Sequence, residues 1–210
     1  MSRKLVPGFT NLWVGEDGSL TVGSDASHSI FCPHGSLSMV GDARVYRHLV
    51  IPAGAFKKQG AADPDQGWEG FYETQDFDDG IEQSLYYDVN IPYRWSAGTD
   101  ITAHVLWLHD ANAADAGKFV RWGVEYRSCA EGEAWAGGDG SVTADQAGLN
   151  ANQGLRINTN IPVIPAADLA VHDQLGFRFY RDATNDDYVG DARLVEVHLE
   201  FVMERLGEHL

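Results

Sequence analysis

The chain has 210 residues and carries 15 Lys and Arg against 31 Asp and Glu, a formal net charge of −16 at pH 7. A chain of this length can bury roughly 70% of its unfolded surface, enough for one domain with a full core. The acidity argues against binding to nucleic acid or to an anionic membrane through cationic surfaces, and no run of about 18 apolar residues is present to span a bilayer. Because no apolar region follows Arg3 and Lys4, we do not expect a secretory signal.

The first 40 residues differ in composition from the rest. They are rich in Gly and Ser, yet they include Trp13 and Phe31 within short apolar runs. A flexible linker would not carry such large apolar side chains. We therefore expect residues 1–40 to form an extended N-terminal arm that docks these side chains on a neighbouring protein. The alternative is an additional hairpin of the same domain.

Residues 41–210 contain segments in which apolar and polar residues alternate. In 194–202, every odd position from Val195 to Phe201 is apolar, and the positions between them are polar. A period of two predicts a β-strand. We expect seven strands: 45–51, 84–91, 101–108, 119–126, 155–161, 175–180 and 194–202. Only short helical turns are expected, at 111–117 and 166–172. This order predicts an all-β fold, an antiparallel β-sandwich or jelly roll spanning 41–210.

Sequence motifs for catalysis are absent. The nucleophile motif GxSxG, the phosphate-binding motifs GxxxxGK[ST] and GxGxxG, and the metalloprotease motif HExxH do not occur. Glu196 and Glu200 lie roughly 13 Å apart on one strand, beyond the separation that glycosidase carboxylates use. Because Glu125 is expected on a neighbouring strand, a glycosidase carboxylate pair that includes Glu125 is the alternative. We predict no catalytic residue, no cofactor and no enzyme activity.

Three groups of residues raise the question of a metal site, and we predict none. His104 and His109 are an odd number of positions apart, so on a strand they point to opposite faces unless the strand bulges. The loop 182–187 is rich in Asp and Asn, which predicts an Asx-capped turn, with calcium binding as the alternative. Cys32 and Cys129 belong to no CxxC pair, and they are either buried free thiols or one disulfide.

Large aromatic residues in loops are the candidate interaction residues. Trp68, Trp95 and Trp135 fall in predicted loops, where tryptophan is typical of an interface anchor. Together with Trp13 and Phe31 of the arm, they are the predicted interface residues. Stacking on a sugar ring and local packing are the alternatives for the three loop tryptophans.

The region between residues 81 and 202 carries an ordered set of short motifs. They are Asn90-Ile91-Pro92-Tyr93-Arg94-Trp95, Gly98-Thr99-Asp100-Ile101, His104-Val105-Leu106-Trp107, Val120-Arg121-Trp122-Gly123-Val124-Glu125-Tyr126, Phe179-Tyr180-Arg181-Asp182-Ala183 and Gly190-Asp191-Ala192. This set resembles a group of tailed-bacteriophage virion structural proteins, jelly-roll modules found on phage heads or tails. We interpret the residues of these motifs as core and turn residues. The resemblance assigns a functional role to none of them.

The resemblance implies a non-enzymatic virion protein, made in the cytoplasm of a bacterial host. We expect a capsid decoration or cement protein that stabilises the head through contacts between subunits, as a homotrimer bound to the major capsid protein or to another virion protein. One alternative is a tail, fibre or adaptor component. Another, from a different class, is a carbohydrate-binding β-sandwich module. Neither nucleic acid nor a membrane is an expected partner.

Overall fold

A computed structural model of the chain describes residues 3–5, 11–109, 117–147 and 157–206. The regular structure in these residues consists of β-strands and short 3-10 turns. The strands are β1 (Arg3–Leu5), β2 (Leu12–Gly15), β3 (Leu20–Gly23), β4 (His28–Phe31), β5 (Leu37–Val40), β6 (Val45–Pro52), β7 (Asp65–Glu69), β8 (Tyr72–Phe77), β9 (Gln83–Asn90), β10 (Ile101–His109), β11 (Phe119–Cys129), β12 (Gly140–Ala147), β13 (Ile157–Ile164), β14 (Gln174–Arg181), β15 (Ala192–Met203) and β16 (Arg205–Leu206). The 3-10 turns are Gly41–Ala43, Ala53–Ala55 and Ala166–Asp168.

Ten of these strands form two sheets, of six and four strands, that share one core, and eight of the ten lie face to face across it. Among these eight, the first sheet has the strand order β6-β15-β10-β13, and the second has the order β9-β14-β11-β12, with antiparallel pairing in both. The chain therefore crosses repeatedly between the sheets, as in a jelly roll, which confirms the predicted fold class. The hairpin of β7 and β8 extends the first sheet, because β8 pairs with the start of β15.

The core between the two sheets is rich in aromatic side chains. Trp122 of β11 stacks on Phe179 of β14, with 5.0 Å between ring centroids. Trp107 and Phe77 of the first sheet meet Trp122 edge-on, at 5.7 and 5.2 Å. Each such aromatic pair stabilises the fold by about 0.5–1.5 kcal/mol in addition to the contribution from its buried area. These contacts hold the two sheets in register.

All seven predicted strands are present, with bounds that match to within three residues where the structure describes them. β7, β8 and β12 were not predicted, because their sequences are largely polar and β7 and β12 lie at sheet edges, where a strand buries little. The turn predicted at 166–172 is found at Ala166–Asp168. Most of the turn predicted at 111–117 lies outside the described residues.

The prediction of an extended N-terminal arm is wrong for residues 11–40. β1 to β5 form a meander in which each strand pairs with the next, and β16 closes its far edge by pairing with β5. The meander turns tightly at Gly18 and Gly35, whose φ angles of 82° and 91° favour glycine. Each short apolar run is thus one strand of a hairpin. We call β1–β5 and β16 the N-terminal sheet.

Candidate functional site

Four of the five predicted interface residues are at least partly exposed, and they lie in three separate places. Trp13 and Phe31 are on the N-terminal sheet, Trp68 is on β7, and Trp135 is in the loop 130–139 between β11 and β12. The structure therefore does not gather them into one site, and each surface is described below by itself.

Trp95 is the exception, since its side chain is only 1% exposed. The chain turns back after Pro92, whose carbonyl accepts a hydrogen bond from the Trp95 N–H at 2.9 Å. Trp95 then bridges to Met203 of β15, so the loop folds against the first sheet and covers the indole. A side chain buried in the core cannot anchor a partner, and the prediction of Trp95 as an interface residue is wrong.

One face of the N-terminal sheet is apolar and open to solvent. Directly paired residues on β2, β3, β4, β5 and β16 are Val14, Leu20, Phe31, Leu37 and Leu206. Because paired residues share a face of a sheet, these side chains form one row, here called the apolar row. Phe31 is 50% exposed, and both ends of the row are exposed as well. Exposed apolar patches of this kind are typical of protein contact sites.

Trp13 lies on the opposite face of the N-terminal sheet from Phe31. It pairs with Thr21, whose side chain is buried, and Thr21 pairs with Ile30. Trp13 and Phe31 therefore do not act on the same partner surface. The rest of the apolar row was missed by sequence reasoning, since its members come together only through the register of five short strands.

The hairpin of β7 and β8 presents exposed aromatic side chains at its turn. Gly70, with a φ of 61°, closes the turn between the two strands. Phe71 in the turn is 98% exposed, and Trp68 and Tyr72 beside it are exposed too. β8 pairs with β15 only through residues 75–77, so the turn end extends past this pairing. We call Trp68, Phe71 and Tyr72 the hairpin tip.

The outer face of the second sheet holds a groove of about 640 Å³. Gly176 of β14 lies in its lining, paired with Asp88 of β9 on one side and with Arg127 of β11 on the other. Trp135, which is 75% exposed, also lines the groove. Tyr86 of β9 adds a second aromatic side chain to the lining.

The loop 130–139 that carries Trp135 is fixed by hydrogen bonds to β11. The Arg127 guanidinium donates to the carbonyl oxygen of Ala134 at 3.2 Å and to the carboxylate of Asp139. Asp139 in turn accepts from the Ser128 N–H at 2.7 Å. The hydrogen bond to Asp139 raises the pKa of Arg127, which remains a cation. Trp135 is therefore placed beside the groove by its own loop.

The carboxylates of loop 182–187 are occupied by hydrogen bonds from the protein. Asp182 accepts from the side chains of Thr184 and Asn185 at 3.0 and 2.9 Å. Asp186 forms a buried ion pair with Arg181 at 2.8 Å. The backbone of the loop also turns here, since the Asn185 N–H donates to the carbonyl oxygen of Asp182 at 3.0 Å.

Histidines 104 and 109 point to opposite sides of the first sheet. His104 lies on the outer face, where its Nδ1 is 2.6 Å from the side-chain oxygen of Asn160. His109 is buried, with its ring edge-on to that of Tyr188. Among the described residues, no group of three or more His, Cys, Asp or Glu side chains is arranged to hold a metal ion.

The glutamates considered as a glycosidase pair lie on opposite sides of the sandwich. Glu125 is on the outer face of the second sheet, with Arg178 at 3.2 Å. Glu196 and Glu200 alternate with buried residues of β15 and so lie on the outer face of the first sheet. Both sheets separate Glu125 from the other two, so the alternative of a carboxylate pair is wrong.

Comparison with known proteins gives distant structural likeness only. No protein-family model matches the chain, and no curated protein matches it. Among solved structures, a chain from a structure of infectious bursal disease virus, Gt strain, is 11% identical with a TM-score of 0.33. The match covers 90% of this chain and 46% of the viral chain, so this protein spans less than half of that chain's length. No helix in the described residues is long and apolar enough to cross a membrane.

Proposed function

We propose that this protein is a structural component of a tailed-bacteriophage virion, a capsid decoration or cement protein that binds the head through its N-terminal sheet. Two observations support the class of protein. The jelly roll is an architecture that recurs in viral capsid domains, and the motifs between residues 81 and 202 resemble those of phage virion proteins. Since a fold by itself does not fix a function, the binding role depends on a surface.

The apolar row of the N-terminal sheet is the observation that carries the proposal. A sheet with one apolar face gains stability when that face is covered, and here Val14, Phe31 and Leu206 remain exposed. Covering them with a partner's apolar surface contributes about 25 cal/mol for each Å² buried. The partner that we propose is the major capsid protein or another virion protein with a matching apolar surface.

A cement protein has to bind more than one neighbour, because it acts by joining subunits. The hairpin tip, with Trp68, Phe71 and Tyr72, provides a second exposed apolar surface on a different sheet. Binding one capsid subunit through the apolar row and the next through the hairpin tip links the two. A homotrimer places three such links around one axis.

Particles purified from a producing lysate test this proposal. Phe31→Ser removes the largest side chain of the apolar row, and Ile81→Ser is the matched control, since Ile81 is 49% exposed outside both surfaces. In a density gradient followed by immunoblotting, we expect wild type and Ile81→Ser to sediment with heads and Phe31→Ser to stay at the top. If Phe31→Ser sediments with heads to the same extent as wild type, attachment through the N-terminal sheet is ruled out. Absence of the wild-type chain from all particles overturns the virion role.

A further inference from the structure

Gly176 sits in the middle of β14, at a position where the fold does not require glycine. Its φ lies outside the left-handed region, and a Cβ added there meets only the Arg127 carbonyl oxygen, at 4.0 Å. On the adjacent strand, by contrast, a Cβ at Gly123 overlaps the ring of Tyr180. Glycine weakens a strand interior, and it often marks a place where a ligand or another chain approaches the backbone closely.

The absent side chain leaves a notch in the outer face of the second sheet. Gln174 and Arg178 are the neighbours on the same face of β14, while Asp88 and Arg127 are the neighbours across the sheet. Strand geometry places all four within about 7 Å of Gly176. The notch is therefore surrounded by polar side chains on every side, with the indole of Trp135 lining the same groove.

The polar groups around the notch are held in place by the protein. Asp88 accepts hydrogen bonds from Lys57 Nζ and Gln174 Nε2, each at 2.7 Å. These bonds leave further acceptor positions on the Asp88 carboxylate and the amide oxygen of Gln174. A ligand that brings hydroxyl groups meets acceptors whose positions are already fixed, which lowers the entropy cost of binding.

Three of the four cations that line the groove are compensated by carboxylates, and the fourth, Lys58, donates to the carbonyl oxygen of Pro64. Lys57 pairs with Asp88, Arg127 with Asp139, and Arg178 with both Glu82 and Glu125. A phosphate or another polyanion would have to compete with these carboxylates. A neutral polyhydroxy compound can bond to the remaining donors and acceptors without breaking any of the pairs.

We propose that this groove binds a saccharide. One sugar ring lies in the notch above Gly176, with its apolar face against Trp135 and its hydroxyl groups bonded to Asp88, Gln174 and Arg127. Indole provides a flat apolar surface, and the carboxylate, amide and guanidinium groups provide the paired acceptors and donors that vicinal hydroxyls need. The groove volume of about 640 Å³ is in the range of small-ligand sites. This site is independent of the proposed attachment through the N-terminal sheet.

Nuclear magnetic resonance titration of the nitrogen-15-labelled full chain tests the proposal. The probes are glucose, galactose, N-acetylglucosamine and glucuronate at high millimolar concentration, because one ring stacked on one indole binds weakly. We expect at least one neutral sugar to shift the resonances of the Trp135 indole N–H and the Gly176 amide in a saturable manner. The Trp68 indole N–H, on another surface, is expected to stay unchanged.

Two variants and one control make this test specific. Gly176→Val fills the notch at a position where a Cβ has room, and Trp135→Ala removes the stacking surface, while Trp68→Ala removes another exposed indole. We expect the first two to weaken binding at least about tenfold, or 1.4 kcal/mol, and the control to bind as wild type does. The proposal is overturned if no neutral sugar shifts the Trp135 and Gly176 resonances, or if Gly176→Val binds like wild type.

Discussion

Arg181 and Asp186 form an ion pair that is fully buried beneath the loop joining β14 to β15, with Arg181 Nε 2.8 Å from Asp186 Oδ2. The guanidinium also donates to the carbonyl oxygens of Phe77, Tyr188 and Gly190. Its Nη2 donates to Asp186 Oδ1 as well, at 3.1 Å, so all five N–H groups of the guanidinium have acceptors. This network joins β14, the end of β8 and the loop, and it neutralises one carboxylate of an Asp-rich segment with the protein's own arginine.

The Arg181→Met variant is expected to lower the free energy of unfolding by about 3–5 kcal/mol, because it leaves the Asp186 carboxylate buried without a counter-charge. Urea unfolding followed by circular dichroism measures this loss. Arg178→Met on the same strand is the control, since Arg178 and its partners reach solvent, and we expect at most about 1 kcal/mol there. Equal small losses in both variants would contradict a structural role for the buried pair.

Two glycines on adjacent strands are expected to respond to alanine in opposite ways. At Gly123 the new methyl group displaces the buried ring of Tyr180, whose hydroxyl is 3.1 Å from that of Ser141, so we expect a loss of about 1–3 kcal/mol. At Gly176 the methyl group has room, and we expect no loss or a gain of about 0.4–1 kcal/mol. Thermal unfolding of both variants makes the comparison. A large loss at Gly176 would remove the reason to regard its notch as a binding feature.

Tyr126 is expected to ionise at unusually high pH. Burial and a hydrogen bond to Asp168, at 2.7 Å, raise its pKa from 10.0 to about 12. The folded chain thus holds a proton that the unfolded chain releases near pH 10. The contribution to stability is complete below that pH and is lost as the pH rises towards about 12.

Ultraviolet titration of tyrosinate absorbance, in wild type and in Tyr126→Phe, checks this pKa. The difference between the two curves should have its midpoint near pH 12. A midpoint near 10 would show that the Tyr126 hydroxyl is neither buried nor bonded to Asp168 as described.

Cys32 and Cys129 are both free thiols, which decides between the two alternatives left by the sequence. Cys129 is buried and Cys32 is half-buried, so a thiol reagent should react with Cys32 first and with Cys129 only after unfolding. Mass spectrometry of the native protein after brief alkylation should therefore find one modified site. Complete resistance of both cysteines under denaturing, non-reducing conditions would indicate a disulfide instead.

Most strands of the jelly roll were predictable because they bury at least one face. On β15 the buried residues Val197, Leu199 and Phe201 alternate with more exposed residues, and that alternation is visible in the sequence. It is interrupted at Val195, where the pairing with β10 shifts register. β7 gave no such signal, because nearly all of its residues are exposed. Of the side chains that the structure describes in β12, only Val142 and Ala144 pack against the core, too few apolar residues to show a period.

The candidate sites were harder to predict, because they depend on which strands become neighbours. Trp95 was placed in an exposed loop since nothing local shows that the chain folds back onto β15 there. The apolar row joins residues as distant as Val14 and Leu206. The notch at Gly176 exists because glycine has no side chain. The residues around it follow only from the pairing of Gly176 with Asp88 and Arg127 on the neighbouring strands.

Immunogold labelling of particles in a producing lysate, with an antibody against this chain, tests the central claim most directly. A decoration or cement protein predicts gold distributed evenly over the heads, with little on tails or on background. Gold confined to the tail or its tip would contradict the cement role and assign the protein to an appendage. Particles without gold would contradict any role in the virion.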